Sequence, residues 1–362
     1  MLRKLHVRAA ALVFAAPLSI AFVGMFVFFA LRGEGFFSAE NLENVALQSA
    51  VLCIVSVAVG FVMIAGYIDL SVGSVMGFSG VAAGYLMSQA HWSPVGASIV
   101  GVALGAAAGW VNGILVAYFR FSALIVTLGM LTIMRGSPFA ITPETFYDFG
   151  PGFGKLGSGD FLGLPIPVWI AAAVCIIGGI FLKFTAGGRH IYAVGVNQEA
   201  AYFSGINIRR IPLLLFIVSG AAAGLGGIIT IARIDAAPSG SLGVGFELSA
   251  LTAILLGGVP FTGGRGTVFG IVLGVLFLGV LQNGLAIMNV SFAGQQVANG
   301  LALVVATALE VTAASLASWT ALRRFSRAAT SVQTAANSPA VDSAVRVGSA
   351  PHRTSGSIGD AT

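Results

Sequence analysis

Residues Gly66–Gly80 read GYIDLSVGSVMGFSG and place one carboxylate, Asp69, directly before an apolar stretch that is dense in small residues. In the whole chain of 362 residues 57% are hydrophobic and only 9% are charged, whereas a soluble globular domain has about 25% charged residues. The 49 glycines lie mostly inside apolar runs, where they favour close packing of membrane helices. The sequence therefore predicts a polytopic, all-α membrane protein.

Apolar runs predict about ten transmembrane helices. A window of about 19 residues places them near 12–31, 45–65, 70–88, 95–119, 122–140, 167–184, 211–232, 247–259, 267–288 and 296–317. The first run follows a basic start but is too long for the apolar part of a signal peptide. We therefore expect a retained first span and a membrane domain that covers residues 12–317.

Basic residues are distributed unequally over the predicted loops. With a cytoplasmic N-terminus, about 14 of the 18 basic residues fall on the cytoplasmic side. They are Arg3, Lys4, Arg8, Arg120, Lys183, Arg189, Arg209, Arg210, Arg265, Arg323, Arg324, Arg327, Arg346 and Arg353. The positive-inside rule then predicts cytoplasmic termini at 1–11 and 318–362, the latter largely disordered, a periplasmic loop at 137–167 and a cytoplasmic loop at 185–211. Topology explains the net charge of +5 better than nucleic-acid binding does.

Cysteines and histidines give no sign of a metal site or an enzyme. Cys53 and Cys175 both fall inside apolar runs, so we expect neither a disulfide framework nor a metal site from them. The histidines fall near or beyond the predicted membrane edges, so no nucleophile and base pair is expected to form; they are His6, His91, His190 and His352.

The two halves of the chain share a short pattern. An acid, a leucine and a serine open the third predicted span at Asp69–Ser71 and the eighth at Glu247–Ser249. An Asn-Gly pair follows one span later, at Asn112 and at Asn283. The copies are five spans apart, and five is an odd number, so the second half is predicted to lie inverted relative to the first. Inverted five-helix repeats are a recurring way to build a pathway with two alternative gates.

Polar residues inside the apolar runs are candidates for a translocation path or gate. An ionised carboxylate at the bilayer centre costs about 2.5–3.5 kcal/mol, so Asp69 is expected at a helix end, in a wet cavity or paired. We expect it at a cytoplasmic gate and Glu247 at the opposite face. The candidates are Asp69, Ser71, Asn112, Glu247, Ser249 and Asn283. Two plainer interpretations stay open: the acid or the serine caps a helix, and the amides hold helices together.

The polar stretch between the sixth and seventh predicted spans, Phe184–Pro212, is longer than a turn requires. Within it Asn197 has the character of an N-cap, and Gly205 that of a helix stop. The pattern predicts a short helix over 198–203. Such a helix, held between two membrane helices, can transmit the movement of a soluble partner into the bundle.

Four motifs in order resemble the permease subunits of bacterial ABC importers of the ribose type, the monosaccharide branch that also includes autoinducer-2 systems. The resemblance covers about residues 10–320. Its motifs are Gly66–Gly73, Val126–Gly129 with Arg135 and Gly136, Gly188–Gly195 with Asn197 and Glu199–Ala201, and Leu255–Gly258 with Gly263–Thr267.

The resemblance implies an inner-membrane permease homodimer, a cytoplasmic ABC ATPase and a periplasmic sugar-binding protein. It places the contact with the ATPase at Asn197, Glu199, Ala200, Ala201 and Gly205. The chain has no phosphate-binding loop of the Gly-x4-Gly-Lys-Ser/Thr type, so the ATP and Mg²⁺ are expected on the partner ATPase and no cofactor on this chain. The alternative is a secondary transporter in which Asp69 and Glu247 couple transport to an ion gradient.

Overall fold

A computed structural model describes residues 18–308 of the chain, and these residues are mostly helical. The helices are α1 (Leu18–Arg32), α2 (Ala39–Ile64), α3 (Val72–Ser88), α4 (Pro94–Ala117), α5 (Ala123–Ile141), α6 (Pro151–Ser158), α7 (Ile166–Phe184), α8 (Ala186–Val196), α9 (Gln198–Phe203), α10 (Arg210–Ile234), α11 (Phe246–Leu256), α12 (Val268–Ile287) and α13 (292–308). The predicted N-terminal segment 1–11 and tail 318–362 lie outside the described residues.

Six helices within residues 18–308 are long and apolar enough to cross a membrane: α2, α4, α5, α7, α10 and α12. Three apolar helices, α1, α3 and α11, are shorter. The predicted class, a polytopic helical membrane protein, is confirmed. The eighth predicted span, 247–259, corresponds to α11, which has only 11 residues and would extend about 16 Å at 1.5 Å per residue.

Helix α2 lies at the centre of the bundle. Its side chains are buried almost without interruption from Val45 to Ile64. They share one apolar core with residues of α3, α10, α11 and α12. By contrast α5 and α7 expose large apolar side chains, among them Ile125, Ile133, Ile176 and Ile177, as expected for helices that face lipid. The burial pattern thus separates one inner helix from outer ones.

A seam of glycines joins α4 to α10. On α4 the glycines recur at every fourth position, at Gly101, Gly105, Gly109 and Gly113, and so lie on one face of the helix. A Cβ atom on Gly105 would overlap the carbonyl oxygen of Gly220 on α10, and one on Gly109 would overlap that of Phe216. The two backbones are therefore in direct contact, the arrangement that small residues four apart permit between membrane helices.

Two of the short helices begin beside each other inside the bundle. The segment 236–245 runs back along α3 after α10 ends: Ala237 contacts Gly84, and Leu242 contacts Gly77. Helix α11 then starts against the first turn of α3, where a Cβ on Gly73 would overlap the carboxylate of Glu247. From this junction α3 and α11 run to opposite ends of the bundle.

The end of the bundle at which α7 begins holds the segment predicted as a periplasmic loop. This segment contains α6 and three two-residue strands: β1 (Phe146–Tyr147), β2 (Asp160–Phe161) and β3 (Leu164–Pro165). β1 pairs antiparallel with β4 (Ala236–Ala237), and β2 pairs with β3. The Gly- and Pro-rich composition predicted only a loop, but buried aromatic side chains at Phe146, Phe149 and Phe153 pack the segment into a second apolar cluster that it shares with α3, α4 and α10.

The opposite end of the bundle holds α8 and α9. The predicted short helix is confirmed as α9: the side chain of Asn197 accepts a hydrogen bond from the Ala200 N–H at 2.9 Å, and Gly205 ends the turn with φ +80°. Helix α8 was not predicted. Its sequence signal is Thr185, whose hydroxyl accepts a hydrogen bond from the Gly188 N–H at 3.1 Å.

The two cysteines are closer than the sequence indicated. Cys53 on α2 and Cys175 on α7 are free thiols whose Sγ atoms lie 3.1 Å apart. Their positions in separate apolar runs gave no expectation of a pair, because the runs alone do not say which helices are neighbours. No group of three or more metal-ligating side chains occurs in the part of the chain that the structure describes.

Candidate functional site

Asp69 is at the centre of a buried polar network. It lies in the segment between α2 and α3 and is 1% exposed. Its Oδ1 accepts hydrogen bonds from the backbone N–H of Ser71 at 3.0 Å and from the Ser71 hydroxyl at 2.7 Å. Its Oδ2 accepts one from the hydroxyl of Ser219 on α10 at 2.7 Å. The amide of Asn112 on α4 donates to the Ser71 hydroxyl at 3.0 Å.

This network connects the start of α3 to α4 and α10, and it resolves one of the alternatives left open by the sequence. The Ser71 hydroxyl makes no capping hydrogen bond to α3, because it donates to Asp69 and accepts from Asn112. Asp69 bonds the N–H of Ser71 itself, ahead of the first turn of the helix. The three predicted residues therefore hold helices together in this conformation, and Ser219 is a fourth member that the sequence did not single out.

Glu247 forms an ion pair across the two halves of the chain. Its Oε1 lies 3.3 Å from Nη2 of Arg135 on α5, and its Oε2 lies 3.4 Å from the same nitrogen. Glu247 is only 7% exposed. The carboxylate also lies in the first turn of α11 and against the first turn of α3 at Gly73, where the positive ends of two helix dipoles favour a negative charge.

The expectation that Asp69 and Glu247 lie at opposite faces is wrong. Gly73, two residues after Ser71, is in contact with Glu247. Both acid-Leu-Ser segments therefore start their helices near one junction in the interior. The physical reason is that each is preceded by non-helical chain, 65–71 in one case and 238–245 in the other, which carries the start of the helix away from the end of the bundle.

Asn283 lies near the end of α12, where it pairs with Asn41 of α2. The Asn283 amide donates to Oδ1 of Asn41 at 2.8 Å, and the Asn41 amide donates to Oδ1 of Asn283 at 2.9 Å. The neighbouring Gln282 donates to Oδ1 of Asn299 on α13 at 3.2 Å. The reciprocal Asn41–Asn283 pair connects α12 to α2, and the single Gln282–Asn299 hydrogen bond connects α12 to α13.

A cavity of about 500 Å³ with a mixed polar and apolar wall opens between α2, α10, the segment 238–246, α12 and α13, on the α6 side of the junction. Ser249 and Asn283 line it, whereas Asp69, Ser71 and Asn112 do not. Glu247 does not line it either, although its neighbour Phe246 does. The predicted path residues thus separate into two groups, one in the cavity wall and one sealed inside the protein.

The predicted coupling residues form the outer surface of the α8–α9 end. Asn197, Glu199, Ala200 and Gly205 are exposed, and only Ala201 faces the bundle. Next to them on α9 the rings of Tyr202 and Phe203 are 61% and 78% exposed and pack edge to face at 5.6 Å. Large exposed aromatic groups on a short, rigid helix indicate a surface for another macromolecule.

Two tyrosines attach α8 and α9 to the bundle. The Tyr192 hydroxyl donates to the carbonyl of Gly266 at 2.6 Å, and burial raises the pKa of Tyr192 to about 12, so the phenol keeps its proton at neutral pH. Gln198 on α9 donates to the hydroxyl of Tyr67. Because Tyr67 is two residues before Asp69, the exposed helix is connected to the buried network by a short stretch of chain.

A family model described as "Branched-chain amino acid transport system / permease component" matches residues 41–314. The chain belongs to this family of membrane permeases and, by its relatives, to the ribose-type sugar permeases of ABC importers. It is therefore a multi-pass membrane protein of sugar transport.

Three relatives show how far the similarity extends. The ribose import permease protein RbsC of Haemophilus influenzae is 36% identical over 293 residues, which are 79% of this chain and 90% of that protein. The L-arabinose ABC transporter permease protein AraH of Azospirillum brasilense is 34% identical over 295 residues, 79% of this chain and 84% of that protein. The D-allose transport system permease protein AlsC of Escherichia coli K12 is 34% identical over 285 residues, 78% and 87% of the two chains.

Proposed function

We propose that this chain is the membrane-spanning subunit of an importer that moves a monosaccharide or similar small polyol across a bacterial inner membrane, and that a separate ATPase supplies the energy. The observation that carries the proposal is the agreement among relatives that match nearly four-fifths of the chain: they are named for ribose, L-arabinose and D-allose, all monosaccharides. A neutral, hydroxyl-rich cargo fits a protein whose interior polar groups are mostly amides and hydroxyls.

The orientation we propose has both termini in the cytoplasm and ten crossings, for which α1, α3, α11 and α13 add to the six long helices. The distribution of arginine and lysine over the loops supports it. In this orientation α9 faces the cytoplasmic ATPase, and the α6 end faces a periplasmic sugar-binding protein. The chain acts as a homodimer, and ATP and Mg²⁺ bind to the ATPase. The junction of α3 and α11, two of the shorter helices, which run in opposite directions from it, supports an inverted repeat.

The route by which the ATPase acts on the cargo path follows from the contacts of α9. A movement of α9 is transmitted through Gln198 to Tyr67 and, two residues further, to Asp69, which is bonded to Ser219 of α10. Asp69, Ser71 and Asn112 then act as the inner gate, and Glu247, Ser249 and Asn283 act in the path on the other side of the junction. Contiguity supports this route, and a measured coupling between the two ends is the test of it.

The alternative, a secondary transporter driven by an ion gradient, makes a different prediction for the same protein. The test is uptake of labelled ribose, L-arabinose and D-allose by vesicles that contain the chain together with an ABC ATPase and a sugar-binding protein of the same organism. We expect uptake that requires ATP hydrolysis and continues in the presence of an uncoupler. Uptake without the ATPase, abolished by the uncoupler, would instead establish the ion-coupled mechanism.

Gly205 offers a specific test of the contact between α9 and the ATPase. Its φ of +80° disfavours branched side chains, while a Cβ there would meet no atom within 4 Å. We expect Gly205→Val to reduce ATP-driven uptake at least about 10-fold, corresponding to about 1.4 kcal/mol, and Gly205→Asn, which tolerates this backbone, to retain most of it. The control is Gly35→Val, which has the same strain (φ +78°, no atom within 4 Å) away from α9. Equal uptake by the two valine variants would refute a role of α9 in coupling.

A further inference from the structure

We propose that the cavity between α2, α10, α12 and α13 is the site at which the permease contacts its cargo, and that the glutamines and asparagines of its wall bind sugar hydroxyls. This inference rests on the proposed function and extends it, beyond the predicted path residues Ser249 and Asn283, to the other amides of the wall and to Arg233. Six amides line the cavity: Gln48, Gln282, Asn283, Gln295, Gln296 and Asn299.

The chemistry of the wall matches a neutral polyol. A carboxamide presents two N–H donors and a carbonyl acceptor, and each sugar hydroxyl is both a donor and an acceptor, so the two groups pair in either direction. Hydroxyls of Thr230, Ser241 and Ser249 add to the wall, and no carboxylate is among the residues that line it. A wall of this kind binds by many neutral hydrogen bonds, each of which water can replace, and so lets a cargo enter and leave.

The location of the amides also requires an aqueous or cargo-filled space. Gln48 and Gln296 are exposed, and the hydrogen bonds found among residues 18–308 include none from either side chain. An exposed amide that faced lipid would leave its polar atoms unsatisfied at a cost of several kcal/mol. In a membrane protein such side chains belong to a cavity that water or a hydroxylated cargo fills.

Arg233 gives the cavity its only charged group among the described residues that line it. It lies in the last turn of α10, half-buried, and no carboxylate within residues 18–308 lies within ion-pair distance of it. A guanidinium without an internal counter-ion has free N–H groups in a rigid fork that can reach two neighbouring hydroxyls at once. The same charge repels cationic solutes. Arg233 is therefore assigned as the residue that selects for vicinal hydroxyls.

The volume of the cavity and the residues that close its floor are consistent with a site for a sugar. About 500 Å³ is within the range of small-molecule sites, roughly 300–1,000 Å³. The floor of the cavity is formed by Met76 and by residues 243–246, which belong to the junction where α3 and α11 begin. The ion pair of Glu247 and Arg135 lies beside this floor. A cargo in the cavity therefore contacts the element that must open for passage.

The first experiment compares sugar moved with ATP hydrolysed in the same vesicles. We expect Gln282→Leu and Arg233→Gln to lower this ratio at least 10-fold for the best transported sugar among ribose, L-arabinose and D-allose. The matched control is Gln89→Leu, an exposed glutamine that does not line the cavity, and it is expected to keep the wild-type ratio. Cavity variants that move as much sugar per ATP as the wild type would overturn the inference while leaving the proposed function intact.

A second experiment measures access of a reagent to the cavity, and it does not require that the variant transports sugar. In a chain without Cys53 and Cys175, Ser249→Cys is expected to react with a charged thiol reagent added from the α6 side, and millimolar sugar is expected to slow the reaction several-fold. An unreactive cysteine, or one that sugar does not protect, would contradict a cargo site here. If the wild-type protein moves none of the three sugars with ATP, the proposed function fails, and the inference fails with it.

Discussion

Replacing Asp69 by asparagine or by leucine tests whether its oxygens hold the helices together. In the structure the carboxylate accepts three hydrogen bonds, from the N–H and hydroxyl of Ser71 and from the hydroxyl of Ser219. Leucine removes every acceptor and leaves three buried donors, each costing about 1–3 kcal/mol. Because the Ser219 hydroxyl can rotate toward a carbonyl of its own helix, we expect a total loss of about 3–5 kcal/mol.

Asparagine is expected to cost much less. Its carbonyl oxygen keeps both donors of Ser71, its amide can donate to the Ser219 hydroxyl, and the buried charge disappears, so the expected loss is about 1 kcal/mol. The assay is reversible unfolding of the purified protein in mixed micelles of mild and denaturing detergent. The control is Glu43→Leu, an exposed acid on α2, with an expected change within about 0.5 kcal/mol. Leucine and asparagine variants of equal stability would refute the acceptor role of Asp69.

Two further predictions concern packing. A Cβ on Gly73 would overlap the Glu247 carboxylate and lie 2.5 Å from the Gly243 carbonyl, so Gly73→Ala is expected to lower the free energy of unfolding by about 1–3 kcal/mol. The control Gly129→Ala, whose Cβ would have no atom within 4 Å, should not destabilise the protein. Equal thermal unfolding midpoints of the two variants would contradict the contact between Gly73 and Glu247. The thiols of Cys53 and Cys175 lie 3.1 Å apart, so the two-electron oxidant diamide should join them in a disulfide, which mass spectrometry of the unreduced protein detects. Full alkylation of both thiols after treatment with diamide would argue against their contact.

The sequence predicted the polar residues of the interior better than their partners. Asp69, Ser71 and Asn112 are identifiable because polar groups in apolar runs must be paired or hydrated. Ser219 could not be identified in the same way, because a single serine in a glycine-rich span is common in membrane helices. The partner of Glu247 is an arginine 112 residues earlier in the chain. Only the packing of α5 against the junction brings them together, and one sequence contains no signal for that.

Helix ends were predicted where local chemistry decides them. α9 follows from an Asn cap and a Gly stop, both of which act within a few residues. α8 was missed because Gly187 and Gly188 lower its helix propensity, and contacts such as Tyr192 with Gly266 offset that loss. The depth at which α3 and α11 begin was also missed. Apolar composition indicates how long a run is, but it gives no sign that non-helical chain enters the membrane domain from either end.

The backbone contact between α4 and α10 has a consequence for any transport cycle. Two helices whose backbones touch through carbonyl oxygens and glycine Cα atoms cannot slide or rotate against each other without steric overlap, so α4 and α10 are expected to move as one rigid body. Alternation between open states must then be carried by parts that meet through side chains, such as α5 and α7, because α3 and α11 also contact their neighbours through backbone atoms. A pair of spectroscopic probes on α4 and α10 should therefore report a constant distance throughout turnover, whereas the distance from a probe on α5 to either helix should change.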